Sequence, residues 1–125
     1  GTMTYVLEQM EAERCIRLEF DGRVTISDLE QSRKVLKDVL RKANGTRTVL
    51  VDMRKASLEV STIDVHQFVA SHRDELPADL LIAVLVQRKD WSIAIFAENV
   101  AHNRSVYMRV FRDELHARAW LGEGD

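Results

Sequence analysis

TVLVDMRKASLEVSTIDVHQF, residues Thr48–Phe68, decides the fold. It opens on Thr48–Met53, a valine-rich run that reads as a central strand covered on both faces. A short polar link follows Asp52, and Ser61-Thr62 then starts a helix. Val65, Phe68, Val69, His72 and Leu76 share one side of that helix, and Pro77 stops it. Leu80–Val86 is a second buried strand. Strand, helix and strand in this order predict a parallel pair joined by a right-handed crossover.

The pattern continues in both directions. Downstream, Asp90 or Ser92 caps a third helix with Ile93, Phe96, Ala97 and Val100 on one face. Val106–Phe111 is the last strand, and Arg112–Leu121 is a closing helix anchored by Leu115, Ala119 and Trp120. Upstream, Tyr5–Met10 and Cys15–Phe20 read as strands. Ile16, Leu18 and Phe20 alternate with Arg17 and Glu19, the period of a sheet with one wet face. Asp21-Gly22 is a turn signal, after which Arg23–Ile26 continues the extended chain. Ser27 and Glu30 match a capping box that opens a helix with Leu29, Leu36, Val39, Leu40 and Ala43 as its apolar stripe. Lys34, Lys37, Asp38 and Arg41 face away, and Asn44-Gly45 ends the helix. The order is ββαβαβαβα. It predicts an α/β domain with a mixed, mostly parallel five-stranded sheet and four helices, the first two strands antiparallel. Residues 3–125 read as one domain, with Gly1-Thr2 a cloning remnant before Met3.

Bulk properties narrow the function. The 125 residues are 46% apolar and 30% charged, with 18 basic against 20 acidic side chains and a net charge of -2. That near-balance argues against a nucleic-acid binder, whose phosphate contacts demand a basic surplus. No run approaches the roughly 18 apolar residues of a membrane helix, and no signal peptide is visible. The lone Cys15 forms no internal disulfide, which points to a reducing, cytoplasmic setting.

Catalytic and metal chemistry finds little support. His66, His72, His102 and His116 make no i, i+4 pair, so no metal site is expected. His72 lies on an apolar stripe and reads as a core histidine, whereas His66 and His102 read as surface residues. Cys15 reads as a small buried hydrophobe. Asp52 ends a buried strand but lacks a paired acid, base or metal ligand. The five glycines, at 1, 22, 45, 122 and 124, form no phosphate loop. The expectation is a domain without enzymatic activity and without a cofactor.

Three strings, VLVDMRKASLEVS, LIAVLV and VFRDELHARAWL, resemble the SpoIIAA-like family of the STAS superfamily. The ending is the most telling, with Phe-Arg-Asp-Glu after a strand and then Ala117, Trp120 and Leu121. The likeness spans Tyr5 to Leu121. It implies a regulatory domain that binds a protein partner. Its best-known relatives are anti-sigma factor antagonists, which carry Asp-Ser-Ser/Thr-Gly at the start of the second helix and are phosphorylated on the serine. Ser61 falls at that position and Thr62 beside it, while Val60 replaces the acid and Ile63 the glycine. Only the hydroxyl pair matches.

Two sites follow as expectations. Ser61, Thr62 and Ser57 are the candidate phospho-switch or docking residues. Phosphate would add about -1.5 to -2 charges at a helix end that carries about +0.5. Ser61 reads first as an N-cap, with Asp64 completing an acidic capping box, and as a switch only where a kinase acts on it. The second site is an anion or ligand site at the carboxyl edge of the sheet, where the pairs Arg54-Lys55 and Arg88-Lys89 each precede a helix and Trp91 stands ready to cover a ligand. The alternative there is solvated loop charge. A STAS domain also resembles lipid-carrying Sec14-type domains in topology, so a carrier or sensor of a small anionic or lipid-like ligand is the rival function. An apolar cavity lined by Phe68, Trp91, Ile95 and Phe96 is its expected mark. A homodimer stays open.

Overall fold

The computed structural model describes residues 4–10, 14–43 and 45–123. Strands β1 (Thr4–Met10), β2 (Cys15–Thr25), β3 (Thr48–Glu59), β4 (Leu81–Val86) and β5 (Tyr107–Phe111) form one sheet in the order β1-β2-β3-β4-β5. β1 pairs antiparallel with β2, and every other neighbouring pair is parallel. Among the described residues the helices are α1 (Ile26–Lys42), α2 (Thr62–Ala70), α3 (His72–Glu75), α4 (Trp91–Asn103) and α5 (Glu114–Glu123), with a 3-10 turn at Arg88–Asp90 before α4. The expected α/β class and mixed sheet are therefore observed. The helix expected to run from Ser61 to Leu76 is broken at Ser71 into α2 and α3, which raises the expected four helices to five.

Side-chain alternation assigns the two faces. Val49, Val51 and Met53 of β3 and Ile82 and Val86 of β4 point toward α1 and α4, into a core with Leu36, Leu40 and Ala94. Val65 and Val69 of α2 join Val100 and Ala101 of α4 beside it. The intervening Leu50, Ala83 and Leu85 point the other way, against Ala117 and Leu121 of α5. The buried residues of the central strands thus serve both faces, which is why they show no polar alternation.

Several boundaries differ from the sequence expectation. β3 does not end at Met53 but runs to Glu59, paired with a β2 that itself runs to Thr25. A bulge makes this extension fit: Glu19 opposes Asp52, whereas Asp21 opposes Lys55, so β3 carries one extra residue. Consequently Met53 and Ala56 both face the core, with Arg54 and Lys55 outside. Gly22 is not a turn but a strand residue opposite Ala56, with φ 91°. Only glycine adopts that conformation cheaply. α1 is opened by Thr25 and Asp28, which form the reciprocal capping box, in place of Ser27 and Glu30. Gly45 has φ 85°, a conformation glycine adopts cheaply, while Asn44 lies outside the described residues.

Where β4 stops at Val86, side chains take over its ladder. The Gln87 amide donates to the Ala56 carbonyl, and the buried Asp90 carboxylate accepts the Leu58 N–H at 3.2 Å. Asp90 sits at the N-cap of α4 yet makes no capping bond, because its carboxylate is turned to the sheet. α5 is a further correction. Leu115 is 78% exposed and Ala119 is exposed, so neither anchors it; Ala117, Leu121 and the Trp120 ring against Phe111 do.

Candidate functional site

Three regions bear on function. The first is the start of α2. Ser61 has extended backbone, and its Oγ accepts the Asp64 N–H at 3.1 Å. It is a helix cap, with only that half of the box formed. Ser61 and Thr62 are exposed, and Ile63 beside them is 68% exposed. Ser57 stands apart: it lies inside β3, half-buried, and its Oγ accepts a bond from Lys89 Nζ at 2.5 Å.

The second region is the outer part of the α5 face, where charge replaces carbon. Asp52 is 5% exposed and receives Arg17 Nη2 at 2.6 Å and Arg54 through its N–H (3.0 Å), Nε (3.0 Å) and Nη2 (2.8 Å). Glu114, the first residue of α5, accepts from Arg17 at 3.2 Å, Arg54 at 3.1 Å and Arg118 at 2.7 Å. Glu19 closes the set with Arg17 at 2.7 Å and Lys55 at 3.1 Å. Burial pushes the Asp52 carboxyl up, but the bonds from Arg54 and the charge of Arg17 outweigh it and hold Asp52 below the usual carboxylate range. This arrangement fastens α5 to β2 and β3. It also engages two of the four cations expected to gather at a ligand edge. Arg54 and Lys55 lie within β3 and are paired with acids, and Lys89 is drawn to Ser57. Trp91, at the start of α4, packs on the main core with the Arg112 guanidinium 5.0 Å from its ring centroid.

The third region is interior. Between the sheet and α1, α2 and α4 lies an apolar cavity of about 150 Å³. Its floor includes Val51, Ile82 and Val110, and its roof Leu36, Phe68 and Ala97. Of the expected lining, Phe68 is present, whereas Trp91, Ile95 and Phe96 lie outside it. The cavity is half-open at its rim, and its lining is apolar. Only Ser32, Arg33 and His72 bring polar side chains to the wall among the described residues. The Ser32 hydroxyl donates to the Leu29 carbonyl at 2.9 Å. His72, 7% exposed, is pushed down to about 4 by burial and by the nearby cations Arg33 and Arg73, so it is neutral at pH 7. Arg33 reaches from α1 to the break between α2 and α3, donating to the Phe68 carbonyl at 2.6 Å and the Ser71 Oγ at 2.9 Å, and lies 4.1 Å from the Phe68 ring centroid.

Arg33 is not among the site residues that the sequence points to. The signal was there: Arg33 is four residues after Leu29 and three before Leu36, a cation inside the apolar stripe.

A mixed sheet carrying three crossovers' helices on one face and a terminal helix on the other is the architecture of the STAS class. The family model described as SpoIIAA-like matches residues 15–122, and the chain belongs to that family. An anti-sigma factor antagonist from Mycobacterium paratuberculosis superposes with a TM-score of 0.67 at 8% identity, covering 96% of this chain and 94% of that one. SpoIIAA in its unphosphorylated form gives 0.59 at 13%, covering 98% and 100%. An uncharacterised DUF3478-family protein with a SpoIIAA-like fold from Shewanella loihica PV-4 gives 0.57 at 20%, covering 95% and 93%. At these identities the likeness shows the fold. No curated protein matches the chain in sequence.

Proposed function

We propose that this chain is a non-catalytic regulatory domain that docks a protein partner through the surface at the start of α2. The observation that carries this reading is Ile63, 68% exposed beside the exposed hydroxyls of Ser61 and Thr62. An aliphatic side chain presented at a helix N-terminus gives a partner an apolar anchor, and the hydroxyls give a polar rim. Anti-sigma factor antagonists of the same fold support a regulatory role, and one solved in its unphosphorylated form supports a phosphorylation switch, for which the exposed Ser61 is the candidate. Phosphate there would place negative charge where the helix dipole tolerates it, so α2 would persist while the docking surface changed sign. A photo-crosslinking amino acid at position 63, expressed in native cells, tests the reading. A discrete adduct that is lost with Ser61→Glu and absent from the same probe at Arg104 is expected. Equal labelling at both positions contradicts it.

The second reading is a carrier or sensor, and the interior cavity favours it. With Arg54, Lys55 and Lys89 held by the chain's own groups, an anionic or lipid-like ligand is better served by the cavity than by the sheet edge. Native mass spectrometry of freshly purified protein checks this: a retained small-molecule mass supports the carrier, and its repeated absence supports docking alone.

A further inference from the structure

The wall of the cavity is almost wholly carbon, and the Arg33 guanidinium stands at its edge, bonded at the seam between α1 and α2–α3. Ser32 spends its hydroxyl on its own helix and His72 is neutral, which leaves Arg33 as the single cation there among the described residues. Its guanidinium offers five N–H donors. Two of its bonds are to the uncharged Phe68 carbonyl and Ser71 hydroxyl, and no carboxylate of the described residues lies within ion-pair distance of it. Burial outweighs the more distant carboxylates Glu75, Glu30 and Asp74, so this half-buried guanidinium, with no carboxylate bonded to it, still rewards a directly bound anion. Its position is also suggestive. The seam between α1 and α2–α3 is bridged by Arg33 and by a Lys37–Glu75 ion pair at 3.4 Å, so polar links stand beside the cavity there.

We infer that the cavity binds a small amphiphilic carboxylate, its hydrocarbon body between the sheet and the helices and its carboxylate on Arg33 at the α1–α2 seam. This rests on the ligand reading above and names the ligand class. The volume, about 150 Å³, sets the size, since an apolar void of that order accepts a benzene-sized guest. The body therefore has about six carbons. Charge selects the head. Glu75, Glu30 and Asp74 already act on Arg33, so one cation in an acidic neighbourhood balances a single negative charge better than the double charge of a phosphate monoester. A guanidinium also pairs with a carboxylate through two parallel bonds.

Methyl-resolved NMR of the whole chain, titrated at neutral pH with hexanoate and separately with hexan-1-ol, tests this. Both should give saturable shifts at Val51, Ile82 and Val110, with hexanoate tighter by about tenfold, the strength of one charge-assisted hydrogen-bonded pair. Arg33→Gln should bring hexanoate to the level of hexanol and leave hexanol unchanged. Should that variant fail to fold, Arg33→Lys, which keeps the charge and loses the fork, should retain only part of the preference. Hexanol binding as tightly as hexanoate to the native chain would overturn the head-group assignment while leaving a ligand cavity. Silence of those methyls with both probes would overturn the ligand reading itself.

Discussion

Toward α1, α2 and α4 the sheet presents carbon over a hollow; toward α5 it presents a small carbon patch and then a cluster of seven charged side chains, Arg17, Glu19, Asp52, Arg54, Lys55, Glu114 and Arg118. The same alternating strands build both. On the first face three helices roof the sheet without filling it, so volume remains for a guest. On the second a single helix is too small to cover the sheet, and paired charges seal what carbon does not. The contrast separates a face suited to binding from a face suited to holding the fold together. It also gives Asp52, conspicuous at the end of an apolar run, a fastening role through Arg17 and Arg54.

The comparison can be broken most forcefully on the charged face. Asp52→Ala strands Arg17 and Arg54 beside Glu114 and should cost about 3 kcal/mol, the lower end for a buried pair because Arg54 is 41% exposed. A urea titration reads this as a lowered midpoint with unchanged slope.

Acid should separate the two faces. His72 has its native value pushed down to about 4, against 6.5 for the free side chain. Above pH 6.5 both states are neutral there and its contribution is complete. Between pH 6.5 and 4 the unfolded chain takes up a proton that the native chain refuses, so stability falls as pH falls, by about 3 kcal/mol at most. Asp52 is depressed below 3.8, so its contribution persists above 3.8 and is lost only at lower pH. The helix-roofed face should therefore weaken first. Chemical denaturation from pH 7 to 4.5 checks this, and His72→Gln should flatten the profile.

Equal added volume should have opposite signs on the two faces. Ala94→Leu extends into the cavity and should stabilise by about 1 kcal/mol. Ala117→Leu overfills the contact beneath α5, where Ala117 is fully buried, and should cost about 2 kcal/mol. Paired thermal melts compare them. Smallest of all, Leu115→Ser at the 78% exposed position on the outside of α5 should move stability by less than about 0.5 kcal/mol.

Much of the fold was legible because it rests on local pattern. The runs at Thr48–Met53 and Leu80–Val86 announced two doubly covered parallel strands, and they are parallel neighbours. The extension of β3 through Arg54–Glu59 was not legible. Its polar sequence looks like a link, and only the matching overhang of β2 and the bulge opposite Phe20 make it a strand. Thr25 prevailed over Ser27 as the cap of α1 because Asp28 returns the bond to the Thr25 backbone. Leu115 looked like an anchor from composition alone, yet the phase set by Ala117 and Leu121 turns it outward. The ion cluster joins residues 17, 52 and 114, which no spacing relates. A cavity leaves no mark in a hydrophobic pattern, since filled and hollow cores share the same apolar stripes. Arg33 within such a stripe was the one hint.

The central claim is that the helix-roofed face is hollow and the α5 face is not. Crystals of the chain held under xenon pressure test it directly. The expected result is xenon density bounded by Val51, Ile82, Val110 and Phe68, with none beneath α5. Side chains that fill that space and admit no xenon, or a xenon site under Ala117 and Leu121 instead, would contradict it.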